Sequence, residues 1–334
     1  MVRRTNTYLL VLLATAFLTG WLAFAFATAP ARWSLVIHAT AGVGVAMVTP
    51  WKSLIARHGL ERRRPGWWAS LLLAVLVLVS LAAGLLHSTG LLLAWGGFTA
   101  MEIHVGAAIA AVPFALWHVL ARPAFLRRTD LSRRYLMRGG ALLAASVGTY
   151  SAGEGVVRLF ALPGARRRFT GSYDAGSLQP QLLPATQWLF DQVPDIDAGS
   201  WRLTVHSPRG TRAWSYEEIS RFSDRIEATL DCTGGFYSTQ AWEGVWLDRL
   251  ITDTRHALSL EVRSVTGYSR RFAVEDRGQL LLATRLGGAA LDAGHGYPVR
   301  LVAPKRRGFW WVKWVTSVHL DEVPQWWQLP FPIQ

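Results

Sequence analysis

Residues 228–251 read ATLDCTGGFYSTQAWEGVWLDRLI and contain Cys232, the only cysteine of the 334-residue chain. One thiol cannot close an internal disulfide, complete a zinc cluster or supply the C-x-x-C-H that attaches a c-type haem. A buried cysteine is usually a small inert hydrophobe. Here, however, it stands beside Gly234 and Gly235, where a backbone can come close to a ligand. The flanking residues alternate as strands do, which separates this stretch from the chain before it.

Residues 1–160 hold 15 Lys+Arg against four acids, whereas 161–334 hold 20 against 18. The positive excess therefore sits in the more apolar half. That is the pattern of a membrane protein with basic loops and argues against nucleic-acid binding. Apolar runs predict membrane-spanning helices at 8–28, 33–51, 67–87 and 100–120, with a weaker fifth at 139–160. The first follows Arg3 and Arg4 but leads straight into further spans, so it reads as a retained helix. Lys52, Arg57 and Arg62–Arg64 follow the second run, and Arg122, Arg127, Arg128, Arg133, Arg134 and Arg138 follow the fourth, while 88–99 holds no Lys or Arg. Positive-inside reasoning puts the basic loops in the cytoplasm. With five spans in the cytoplasmic membrane, the C-terminal half lies on the outer, periplasmic side.

Histidines mark the membrane half. His38 lies early in the second run, His87 ends the third and His104 opens the fourth. Polar rings inside a span are functional by default. Ile37-His38 precedes Trp51-Lys52 at the spacing by which Ile103-His104 precedes Trp117-His118, so two helical hairpins repeat. The repeat puts His38 and His104 at matching depth, as bis-histidine ligation of a b haem in a four-helix bundle requires. Satisfied interhelical hydrogen bonding is the competing explanation. His87 is an alternative outer ligand. His118 returns to the same helix face about 21 Å deeper, where it would suit a second haem, although its repeat mate is Lys52.

The fifth run opens with Ser132-Arg-Arg-Tyr-Leu-Met-Arg138, which resembles a twin-arginine export signal, a route for passengers already folded around a cofactor. Gly153, Glu154 and Gly155 keep the run only mildly apolar, and a retained anchor is the expectation. The chain thus divides into a four-helix domain (1–125), a signal and anchor with its linker (126–170) and an exported domain (171–334). In the last, short alternating runs at 201–205, 260–264 and 299–302 punctuated by Gly and Pro predict a mixed α+β fold.

Three blocks of that domain, 228–251, LLATRLGGAALDAG (281–294) and GHGYPVRLVAPKRRGFWWVKWVTSVHL (294–320), resemble the molybdopterin-binding domain of the sulfite oxidase family. The four-helix half looks like a cytochrome b-type membrane domain. The family resemblance implies that Cys232 is the one protein ligand to molybdenum, a role for which a soft thiolate suits. It implies pterin contact by Thr233, His295, Arg300, Trp311, Val312 and Lys313. Three departures stand out. The family's aromatic-x-Arg-Asn-His segment corresponds to TQWLFDQVPDID (186–197), without Arg or His. Its Asp-Gly-Tyr is Thr266-Gly267-Tyr268 here, and the basic residues that grip sulfite have no counterpart.

These features imply a membrane-bound molybdenum oxidoreductase that moves an oxygen atom to or from a sulfite-, sulfoxide- or N-oxide-like substrate. Haem b and the quinone pool would carry its electrons. Two other readings use the same residues: a non-catalytic receptor or assembly module with a degenerate molybdopterin fold, and a haem-only relay to a partner.

Overall fold

A computed structural model describes residues 2–28, 30–61, 66–121, 132–187, 191–208 and 210–329. Arg62–Arg64, Arg122, Arg127 and Arg128, used above for orientation, lie outside the described residues, as do positions 188–190 of the TQWLFDQVPDID segment. The chain divides into two units, Met1–Phe24 with Thr28–Tyr173, and Asp174–Gln334 with Ala25–Ala27.

The first unit is helical: α1 Val2–Ala25, α2 Ala31–Glu61, α3 Trp67–Thr89, α4 Ala100–Ala121 and α5 Arg133–Leu159. The first four are long and apolar enough to cross a membrane. Large apolar side chains such as Leu18, Trp33, Leu85 and Leu116 stand exposed on them, which suits helices whose solvent is hydrocarbon. Helix α2 runs ten residues past the predicted end at 51, since Lys52–Arg57 are good helix residues and Gly59 only weakens a helix. Helix α5 forms but is not among the four, since Arg133, Arg134, Arg138 and Gly153-Glu154-Gly155 dilute its apolar run. It packs within the helical unit nonetheless. Tyr135 stacks on Tyr8 with ring centroids 4.6 Å apart, and Tyr8 Oη donates to the Tyr135 carbonyl at 2.9 Å. Buried Ser146 lies so close to Gly44 that a Cβ there would come 3.1 Å from its Oγ. Small residues at a helix crossing allow such approach.

The second unit joins two sheets around one core. In the first sheet the strand Phe236–Trp246 pairs antiparallel with Asp224–Asp231 and with Leu281–Leu286, and the latter pairs with Arg300–Val302. The other sheet runs in the order Gly210–Ser215, Arg202–Ser207, Val315–Asp321, Ser259–Ser264, Ser269–Ala273. Only the Arg202–Ser207 and Val315–Asp321 pairing is parallel. Period-2 alternation sends Leu203, Val205, Leu260, Val262 and Val318 inward to meet Trp242, Leu281, Leu282 and Leu301. Each of these nine is at most 3% exposed. Burial of such residues at about 25 cal/mol per Å² supplies the main driving force of the fold.

Gly244 is the tight point of the first sheet. It lies opposite Ala283, where the ladder shifts register, and a Cβ there would fall 2.0 Å from the Leu282 carbonyl oxygen. A backbone atom in a central sheet cannot yield cheaply. Gly244→Ala is therefore expected to destabilise the second unit by at least about 2 kcal/mol. The check is the denaturant midpoint of near-UV circular dichroism on detergent-extracted protein; an unchanged midpoint would contradict the packing.

Candidate functional site

Cys232 ends the strand Asp224–Asp231 and opens a turn. Its amide donates to the Phe236 carbonyl at 2.8 Å, the Gly235 amide to its own carbonyl at 3.2 Å, and the Gly234 amide to its Sγ at 3.4 Å. The half-buried Sγ also lies 3.7 Å from Thr186 Oγ1. Thr233 follows in the same turn, half-buried.

Beneath the turn is a buried ion pair. Arg307 Nη1 lies 3.0 Å from Asp231 Oδ1, with side chains 3% and 0% exposed, and Arg307 Nη2 donates to the Cys232 carbonyl at 3.1 Å. Gly308 completes the contact: a Cβ on it would be 3.2 Å from Cys232 Cα. The sequence reading missed this support. In a row of letters Asp231 and Arg307 are two unrelated charges 76 positions apart, and only the pairing of strand end with loop joins them.

The other residues implied by the resemblance converge nearby. Arg300 is 3% exposed and lies over the Trp242 and Trp311 rings at 5.3 and 5.7 Å. Its Nη1 donates to the His295 carbonyl at 3.2 Å, while its buried Nε has no hydrogen-bond partner among the described residues. Burial pushes the guanidinium down to about 10, and the Cys232 thiol and Asp292 act against that fall. Lys313 Nζ donates to the carbonyls of Thr186 (2.8 Å) and Gly294 and to Gln187 Oε1 at 3.1 Å. Burial, then the neighbouring Arg300, lowers its amine to about 7. Gly296, at φ +110°, fits between the two cations: a Cβ would meet Arg300 Cβ at 3.1 Å and Lys313 Cβ at 3.2 Å.

Trp311 is buried, with Nε1 donating to the Arg306 carbonyl at 3.3 Å, and the buried Val312 carbonyl accepts from the Leu301 amide at 2.7 Å. His295 is held within the domain: Nδ1 faces Asp292 Oδ2 at 2.7 Å and Nε2 the Leu183 carbonyl at 3.0 Å. The segment without Arg or His thus supplies Thr186 and Gln187 to Lys313. At Thr266, where the resemblance would place an acid, the hydroxyl meets Asp191 Oδ2 at 3.3 Å. A carboxylate arrives there from another segment, and burial raises its pKa above the ordinary value.

Buried Arg300 and half-buried Lys313 thus converge beside a thiol, with their hydrogen bonds made to carbonyl and amide oxygens and the charges of Asp292 and Asp191 nearby. Such a site favours an anion. The phosphate of a pterin cofactor fits the charge, and the half-buried Sγ fits a soft metal.

In the helical unit His38 and His104 meet, with ring centroids 5.5 Å apart and planes crossing at 83°. His38 Nδ1 lies 2.7 Å from the Ala16 carbonyl and His104 Nδ1 2.7 Å from that of Ser80. A carbonyl only accepts, so Nδ1 carries the proton in both rings and Nε2 keeps the lone pair. Two imidazoles on one metal would stand roughly 6 Å apart, from bonds of about 2 Å on each side. The 5.5 Å between the ring centroids is somewhat shorter than that spacing. His87 is used differently: its Nε2 donates to the Gly171 carbonyl at 2.9 Å, and its own carbonyl accepts from Tyr173 Oη. His118 Nδ1 lies 3.1 Å from Ser70 Oγ, and Lys52 Nζ donates to Asn6 Oδ1 at 2.7 Å. The structure brings His38 and His104 together and sets His87 in a separate network.

Lys313 gives a pH signature. With its amine lowered to about 7, the folded chain binds fewer protons than the unfolded chain, whose lysine titrates near 10.4. Lys313 therefore makes stability rise with pH between those values, by at most about 1.4 kcal/mol per pH unit. In protein purified without its pterin, Lys313→Met is expected to flatten that slope between pH 7 and 10, read from denaturant midpoints across the range. An unchanged slope would contradict the buried amine.

Residues 190–327 match the family model described as oxidoreductase molybdopterin binding domain. Sulfite oxidase from Rattus norvegicus, a mitochondrial protein, is 27% identical over 175 residues, covering 41% of this chain and 32% of its own. Sulfite oxidase from Gallus gallus is 26% identical over 210 residues, covering 49% and 45%. The chain therefore spans a third to a half of the length of these relatives. The solved sulfane dehydrogenase SoxCD from Paracoccus pantotrophus aligns at a TM-score of 0.41 and 23% identity, over 44% of each chain. Over residues 190–327 the chain is thus similar to the molybdopterin-binding domain of the sulfite oxidases, and Cys232 lies within the matched stretch.

Proposed function

We propose that the chain is a membrane-bound oxidoreductase that moves an oxygen atom to or from a small sulfite-, sulfoxide- or N-oxide-like substrate at molybdenum. Its electrons would pass through a b haem held by His38 and His104 and exchange with quinone or quinol in the bilayer. The observation that carries the reading is the convergence of Arg300 and Lys313 beside Cys232, two cations whose hydrogen bonds go to carbonyl and amide oxygens and leave their charge open to an anion. Cys232 would hold the metal, and Arg300 and Lys313 the phosphate of the pterin. The metal would supply two-electron oxygen-atom chemistry; the protein supplies a fixed thiolate and fixed cations. Four apolar helices support residence in a membrane. The basic loops support an outer position for the second unit once α5 also spans, and the close Gly44–Ser146 and Tyr8–Tyr135 contacts support α5 as a retained anchor.

Cys232→Ser tests the metal site. An oxygen donor is harder than thiolate, so the variant should fold and reach the membrane but lose at least about 100-fold in turnover. Metal analysis and an oxygen-transfer assay on membrane-extracted protein read the outcome; full turnover with molybdenum present would overturn the assignment. His38→Ala and His104→Ala should each abolish the optical spectrum of a low-spin bis-imidazole haem. Loss in His87→Ala with retention in His38→Ala would transfer the ligand role to His87.

A further inference from the structure

The two helical hairpins repeat in detail that the His–Trp spacing alone does not display. Ala16 and Ser80 are 64 positions apart, as are Gly20 and Gly84, while His38 and His104 are 66 apart. In each hairpin the first helix offers a carbonyl to an imidazole of the second, at 2.7 Å in both cases. Four residues on, it offers a glycine whose missing Cβ makes room for that ring: a Cβ on Gly20 would be 2.8 Å from His38 Nδ1, and one on Gly84 2.9 Å from His104 Nδ1. Each ring is thus set with its Nδ1–Cε1 edge against a neighbouring backbone and its tautomer fixed.

The half-sites differ at one oxygen. Where the first hairpin has Ala16, the second has Ser80, which is buried. Ser80 Oγ donates to the His104 carbonyl at 3.1 Å, which turns its lone pairs toward His104 Nδ1–H, also 3.1 Å away. That N–H therefore has two acceptors, the Ser80 carbonyl and its hydroxyl. Its counterpart on His38 faces the Ala16 carbonyl, and Ala16 has no hydroxyl to add.

We infer that Ser80 makes the two axial imidazoles unequal and holds the haem at a lower reduction potential than a symmetric pair would. This rests on the reading that His38 and His104 ligate one haem. A second acceptor draws the Nδ1 proton from the ring and makes Nε2 a stronger donor, which favours iron(III) over iron(II) in the one-electron couple. Ser80 is a positioning residue: it touches a ligand and not the iron. No bond is made or broken, and the electron enters or leaves through the haem's redox partners.

The test is a spectroelectrochemical titration of detergent-purified full-length protein. Ser80→Ala should keep the haem and its low-spin spectrum and raise the potential by up to about tenfold in the reduction equilibrium constant, or about 59 mV. Ala16→Ser should lower it, and Ser80→Thr, which keeps the hydroxyl, should retain the parent value. Unmoved potentials in both Ser80→Ala and Ala16→Ser overturn the inference alone, provided His38→Ala has removed the bis-imidazole spectrum. Retention of that spectrum in His38→Ala overturns the ligand assignment, and the inference falls with it.

Discussion

The Asp231–Arg307 ion pair is the constraint on which the Cys232 site depends. Its members are nearly or wholly excluded from solvent, and desolvation takes back most of what their attraction yields, so the pair adds little net stability. What it provides is register. Asp231 terminates a core strand and Arg307 belongs to the loop that leads to Trp311, Val312 and Lys313. The two residues form a parallel bridge. Any other pairing of strand end with loop would leave one charge buried alone at a cost of several kcal/mol. Because Arg307 also holds the Cys232 carbonyl, the same constraint fixes the thiol relative to the segment that carries Lys313.

With that register set, the remaining groups come from separate parts of the fold. Arg300 opens a short strand of one sheet, Lys313 lies two residues before a strand of the other, and Gly296 lets the two side chains approach. Two like charges in a desolvated space raise the energy of the site without a ligand. The depressed amine of Lys313 expresses that energy, since losing a proton is its one means of relief. An anion relieves it better, which is how unfavourable charge placement becomes affinity.

Sequence reading resolved what periodicity and charge counting can resolve. Four apolar runs became four helices, and alternating strands became two sheets with Leu203, Val205, Leu260 and Val262 inward. The lone cysteine among glycines lies in a turn in which the Gly234 amide faces the sulfur. Contacts that depend on tertiary pairing were not legible. The link between Asp231 and Arg307, the capture of Lys313 by Thr186 and Gln187, and the arrival of Asp191 at Thr266 each join segments that no local pattern relates. Helix α5 shows the converse. Composition weakens it as a span, yet its small and aromatic residues fit α1 and α2 closely.

One device recurs in both units. The nitrogens that matter are fixed by main-chain carbonyls: His38 by Ala16, His104 by Ser80, Lys313 by Thr186 and Gly294, Arg300 by His295, and Arg307 by Cys232. A carbonyl on a rigid element orients an N–H without neutralising its charge, whereas a carboxylate would do both. Around the thiol this leaves positive charge only partly offset by neighbouring acids and open to an anion. Between the helices it leaves each imidazole with Nε2 as its lone-pair nitrogen, suited to a metal. The exception is instructive. Arg307 is given both a carbonyl and a carboxylate, and its charge is consumed internally, so it can support the site but cannot hold a ligand in it. Backbone acceptors where charge remains available, and a carboxylate where it does not, are what separate Arg300 and Lys313 from Arg307.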